Sequence, residues 1–391
     1  MFLLIISSLI AIMIIELILR LVEYKFDTIK KLTYSPYKKT GIDKIVDWQS
    51  LQYTTGCALL PNQKISDFST NSHGFLSEEI SYYNPLGAKR IVFLGDSFLT
   101  TTPFRYHFIP LIHAEIKAAF APMPVQSINL GIACTGTSVY RKVFEVEGVH
   151  YKPDIVVVNL FVGNDFTDDM SNIKNINETY RSNENQLTKK LYNIRIFALL
   201  KNMSVILAAY MPSRPYPVPL DGIRAFGDWT KSNSNEEDDP FAPSFSKEQH
   251  LKIEKRRSEI LLPNSYIYEN MPLIKNNLLH IKNLALSIGA DVLIVIIPDE
   301  LQVNKTLRDE VNNLTPENVY NIRYPQKQLI QFFTENQIDY IDLLEYFERD
   351  PYPETYYKPR DTHFNAIGNK RVSEILSPKL QKILEKSITS P

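Results

Sequence analysis

The chain has 391 residues, enough for one α/β domain with an anchor and an insertion. Its apolar fraction of 44% and charged fraction of 22% are those of folded globular proteins, and a net charge of -1 offers no footing for a nucleic-acid partner. Cys57 and Cys134 have no His or Cys neighbours at ligand spacing, and His107 and His113 would fall on different faces of a helix. These residues define neither a metal site nor a disulfide framework, although one bridge is open to the two thiols. No metal and no cofactor is expected.

The opening stretch MFLLIISSLIAIMIIELILRLV, residues 1–22, is apolar except for Ser7, Ser8, Glu16 and Arg20. It is long enough to cross a bilayer core of about 30 Å. No convincing small-residue cleavage site precedes Tyr24, and the run exceeds a signal-peptide core, so a retained single-pass transmembrane helix is expected. Arg20, Lys25, Lys30 and Lys31 lie at or after its end, a charge count that by itself favours a cytoplasmic body. Residues 23–88 then read as an irregular, Tyr-rich lead-in with room for a hairpin.

A regular domain is expected over 89–386. It begins with KRIVFLGDSF, a short apolar strand broken at Gly95, and four further runs have the same character. They are VQSINLG from Val125, DIVVVNLFVG from Asp154, DVLIVIIP from Asp291 and IDYIDL from Ile338. Near-continuous Val, Ile and Leu suits strands covered on both faces. Helical spacing fills the gaps at Tyr106 to Phe120, Val139 to Gly148, Tyr266 to Ile288, Tyr324 to Asn336 and Ala366 to Lys386. Alternating strand and helix predicts a parallel five-stranded sheet in a three-layer α/β/α fold. One long insertion, about 168–263, interrupts it; its LTKKLYNIRIFALLKNMSVILAAY reads as an amphipathic helix, and its proline-rich and acidic stretches as loop.

Four turns carry the residue types of acyl-transfer chemistry. GDSF places Ser97, supported by Asp96, where the first strand ends and a helix should begin, so one residue offers an attacking hydroxyl and a backbone oxyanion donor. NLG ends the next strand with Gly131, whose N–H could approach a ligand closely. FVGNDF follows the third strand and presents the neutral amide of Asn164, with Asp165, Asp168 and Asp169 read as solvated turn residues. PRDTHFN sets Asp361 and His363 before the last helix, a carboxylate and an imidazole able to activate a serine. Each alone is as readily a cap or a turn; together they fill every role of one site.

GDSF, NLG, GND and D-x-H in that order resemble blocks I, II, III and V of the SGNH/GDSL hydrolases, with their Ser, Gly, Asn and His at Ser97, Gly131, Asn164 and His363. The resemblance spans residues 89 to about 385. It implies a flavodoxin-like fold with strand order 2-1-3-4-5, an oxyanion hole from Ser97, Gly131 and Asn164, and reaction at an ester. The anchor followed by TNSHGFLSEE, Thr70 to Glu79, looks like the lead-in of membrane-anchored bacterial members, which implies a body outside the cytoplasm. Two departures stand out: Asp361 lies two residues before His363 rather than three, as in alginate O-acetyltransferase-like members, and Leu76 replaces an arginine.

The expected function is a serine esterase removing O-acetyl or other acyl groups from a cell-envelope glycan or a small ester. An O-acyltransferase using the same residues is the alternative. A non-catalytic glycan-binding or envelope-assembly module is the reading from a different class.

Overall fold

A computed structural model describes residues 2–23, 57–101, 103–169, 200 and 239–389. The chain divides into two compact units, Met1–Thr54 with Ile173–Leu220, and Thr55–Asn172 with Asp221–Pro391. In the first unit, Phe2–Glu23 is a 22-residue helix, α1. Part of its side chains lie outside the described residues; among those described, no helix is long and apolar enough to cross a membrane. The expected helix LTKKLYNIRIFALLKNMSVILAAY also falls outside the described residues, apart from Leu200.

The second unit opens with a small antiparallel hairpin, β1 (Lys64–Ile65) and β2 (Phe68–Ser69). The central sheet follows, formed by β3 (Lys89–Leu94), β4 (Val125–Asn129), β5 (Ile155–Phe161), β6 (Asp291–Ile297) and β7 (Asp339–Asp342). Its order is β4-β3-β5-β6-β7 with every neighbouring pair parallel. Counted within the sheet this is 2-1-3-4-5, the order that the resemblance implies. All seven residues of β5 are buried, as expected of a strand covered on both faces. Asp154 pins the start of the sheet by accepting the Arg90 N–H at 2.8 Å and the Lys89 ammonium at 2.7 Å.

The helices are α2 (Phe108–Ala119), α3 (Thr137–Val146), α4 (Lys247–Arg257), α5 (Met271–Ser287), α6 (Glu300–Val303), α7 (Lys305–Leu314), α8 (Tyr324–Glu335), α9 (Leu343–Phe347) and α10 (Ala366–Thr389). On one face of the sheet Ile91, Phe93, Val157, Leu293 and Val295 pack with Ile112 and Ile116 of α2 and Val372, Leu376 and Leu380 of α10. Val92, Leu94, Val156, Val158 and Ile294 alternate with them, are fully buried, and face the layer where α3 and α5 pack together. Three layers result because the central strands β3, β5 and β6 are apolar and buried on both faces.

The lead-in beyond Cys57 belongs to this body. Phe75 and Leu76 are each 1% exposed, and the Leu76 carbonyl accepts the Asn129 amide at 3.0 Å. Leucine instead of arginine at 76 therefore fills core against β4. Arg90, also buried, donates to the carbonyls of Ser81 and Tyr82, fastening the lead-in to the start of β3.

Candidate active site

β3 delivers Ser97. After Leu94 the chain turns at Gly95, where a Cβ would lie 2.8 Å from the Leu99 side chain, and enters a 3-10 turn at Ser97–Leu99. Asp96 is fully buried and caps that turn by accepting the Phe98 N–H at 3.0 Å. Burial pushes its carboxyl above the usual range, against the opposing pull of the Phe98 N–H, His363 and the Asn164 amide. Being the first residue of the turn, Ser97 has an N–H with no acceptor inside it.

The C-terminal motif supplies base and acid. Asn365 takes over the capping of α10, its side chain accepting the Ile367 and Gly368 N–H groups at 2.9 and 3.0 Å. Asp361 and His363 are thereby spared that duty. His363 Nε2 lies 2.8 Å from Ser97 Oγ, and Nδ1 lies 2.7 Å from Asp361 Oδ1. A carboxylate can only accept, so the ring proton belongs on Nδ1 and Nε2 is left to accept the serine hydroxyl. The Phe98 ring, 5.1 Å from the imidazole, holds it from the side.

Asp361 is buried at 5% exposure. Burial alone would raise its carboxyl, but the positive charge of His363 when protonated and hydrogen bonds from the His363 ring, the Ser244 hydroxyl and the His363 N–H hold it well below the usual range. It is therefore ionised and suited to stabilise an imidazolium. The Ser244 contact, to Oδ2, comes from the far end of the insertion. No sequence pattern marked Ser244, since one serine among SNSNEEDDPFAPSFS is indistinguishable from its neighbours.

The other two turns are placed less simply. The Gly131 N–H donates to Asn129 Oδ1 at 2.9 Å, and a Cβ at 131 would lie 2.2 Å from Leu99 Cβ. The glycine thus admits the Ser97 turn, and its N–H already has an acceptor. Asn164 Nδ2 donates to Asp168 Oδ2 at 2.9 Å, and the amide also interacts with the Asp96 carboxyl, which places it beside Ser97. Asn164 Oδ1 is buried without a hydrogen-bond partner.

The expectation of solvated acids after Asn164 is corrected. Asp165 is buried and accepts the Tyr140 hydroxyl at 2.6 Å and the Phe161 N–H at 2.9 Å. Asp169, also buried, accepts the Thr137 hydroxyl and, at 2.6 Å, the Ser138 N–H. It caps α3 from a distance because Gly136, at the N-cap, has no side chain to do so. Asp168 is pushed up to about 7, by burial first and by the Asp96 charge next. Cys57 and Cys134 prove to be neighbours whose side chains hydrogen-bond, though both are free thiols. Among the described residues no group of three or more His, Cys, Asp or Glu is arranged to hold a metal.

No protein-family model and no curated protein matches the chain. Solved structures do: TesA, at 11% identity and a TM-score of 0.39, over 75% of this chain and 99% of that one. A lipase/acylhydrolase from Enterococcus faecalis matches at 12% identity and a TM-score of 0.35, over 75% and 96%. An acetyl xylan esterase, AlAXEase, matches at 13% and 0.34, over 73% and 96%. On its own geometry, the chain is similar to the SGNH/GDSL hydrolases in sheet order as well as in motif order, with the serine and imidazole of the outermost blocks in hydrogen-bond contact.

Proposed function

We propose that the protein is a serine esterase. The observation that carries the reading is the unbroken hydrogen-bonded line Ser97 Oγ, His363, Asp361, with contacts of 2.8 and 2.7 Å across 266 residues of sequence. Ser97 Oγ attacks the acyl carbonyl while His363 Nε2 takes its proton, and Asp361 stabilises the imidazolium. The tetrahedral oxyanion is held by the Ser97 N–H and the Asn164 amide, one of whose protons must leave Asp168 or Asp96 to reach it. His363 returns the proton to the leaving alkoxide. Water, deprotonated by the same imidazole, then releases the acid from the acyl-serine.

The substrate class is an O-acyl group on a cell-envelope glycan, a reading that rests on the motif resemblance and its anchored lead-in. α1, at 22 residues and about 1.5 Å per residue, has the length of a single-pass anchor, and its sequence is apolar apart from Ser7, Ser8, Glu16, Arg20 and Glu23. The body would lie outside the cytoplasm. The two-residue Asp361 to His363 spacing favours transfer to a sugar hydroxyl as a second reading; mass spectrometry of envelope oligosaccharides incubated with protein and acyl donor separates added from removed acyl mass.

A fluorophosphonate should label the protein at Ser97, and Ser97→Ala should abolish labelling. His363→Ala should lower kcat by about 10³ or more. Labelling that persists without the Ser97 hydroxyl would place the nucleophile elsewhere.

A further inference from the structure

The catalytic acid is gripped on both oxygens. Oδ1 accepts the His363 ring N–H and, at 3.1 Å, its backbone N–H; Oδ2 accepts the hydroxyl of Ser244, 117 residues upstream. A carboxylate held by one oxygen can rotate about Cβ–Cγ and carry Oδ1 out of line with the imidazole. A donor on the second oxygen fixes that rotation. Because the donor is a neutral hydroxyl, it steadies the carboxylate without competing for it as a second cation would.

Ser244 is itself held from both sides. Before it, Asp239 forms a turn, its side chain accepting the Phe241 N–H at 2.8 Å and its carbonyl the Ala242 N–H at 3.1 Å. After it, Ser246 and Gln249 form a reciprocal capping box at the start of α4, with both contacts at 3.2 Å. α4 is anchored through buried His250 and Glu254 and through the Lys247 to Glu310 ion pair at 2.8 Å. The serine therefore has little freedom to follow a moving carboxylate.

We propose that Ser244 is a positioning residue of the triad, so that the end of the insertion sets the orientation of the catalytic acid. This deepens the esterase reading and rests on it. Ser244 is exposed, yet it has two-sided support and a contact to a buried carboxylate that a serine serving only as surface would not need.

The test compares the full-length protein with Ser244→Ala and Ser244→Thr, using 4-nitrophenyl acetate hydrolysis and the rate of fluorophosphonate labelling. Ser244→Ala should lower kcat and the labelling rate about tenfold, the scale of one hydrogen bond to a charged group, with KM within about twofold. Ser244→Thr, which keeps the hydroxyl, should restore most of both, and the melting temperature of all three should agree within a few degrees. A wild-type labelling rate in Ser244→Ala overturns the proposal and leaves the esterase reading standing. Equal losses in the Ala and Thr variants, or a loss that follows the melting temperature, overturn it too. A wild-type protein that neither labels nor hydrolyses overturns both readings.

Discussion

His107 is buried behind the nucleophile turn, with Nδ1 accepting the Ile109 N–H at 3.2 Å and Nε2–H donating to the Phe98 carbonyl at 2.7 Å. Both ring nitrogens are in use by the neutral form. Burial pushes its pKa down to about 4, the Phe98 carbonyl opposing only in part. The folded value lies below the unfolded one, about 6.5, so this contribution to stability is complete above pH 6.5 and is lost as pH falls through 4. The loss is on the order of 3 kcal/mol. Urea midpoints at pH 7 and pH 4.5 should therefore differ more for the wild type than for His107→Asn, which keeps a capping side chain but does not titrate; equal differences would refute the assignment. Asn164→Ala belongs to the same scale. It should reduce kcat by about 10² to 10³ if its amide meets the oxyanion, whereas an effect confined to KM would assign it to substrate binding.

At the scale of elements, the turns after β3 and β4 fit together through a missing side chain. A Cβ on residue 131 would meet Leu99 Cβ at 2.2 Å, close to the backbone and unable to swing aside. Gly131→Ala should destabilise the protein by about 1 to 3 kcal/mol and slow labelling of Ser97, because the displaced element carries it. Differential scanning calorimetry with the labelling assay checks both, and an unchanged melting temperature would show that the turns part freely. The strands themselves were legible: β5, apolar but for the buried Asn159, and β6, apolar after Asp291, match their expected positions closely. α4 was not. KEQHLKIEKRR has no apolar stripe, and the two residues it buries most, His250 and Glu254, are polar, so periodicity assigns it no helix although the Ser246 and Gln249 capping signal is present.

For the whole molecule, the question is what α1 does. If it anchors the protein, the full chain should sediment with membranes and resist carbonate extraction, while a chain lacking residues 1–23 should be released in active form. Release of the full chain by carbonate would exclude a spanning role.

The local sequence determined where strands end and which chemical groups stand there, since apolar runs and glycine turns are short-range features and put Ser97, Asn164 and His363 at strand ends or helix starts. It could not reveal that Ser244 reaches Asp361, that Asp169 caps α3, or that Asn129 occupies the Gly131 N–H. The first two join residues far apart in the chain, and the third depends on how β4 meets the turn of β3. Such pairings are decided only when the packed sheet sets the directions of its loops, and burial then favours those that give buried polar groups a partner.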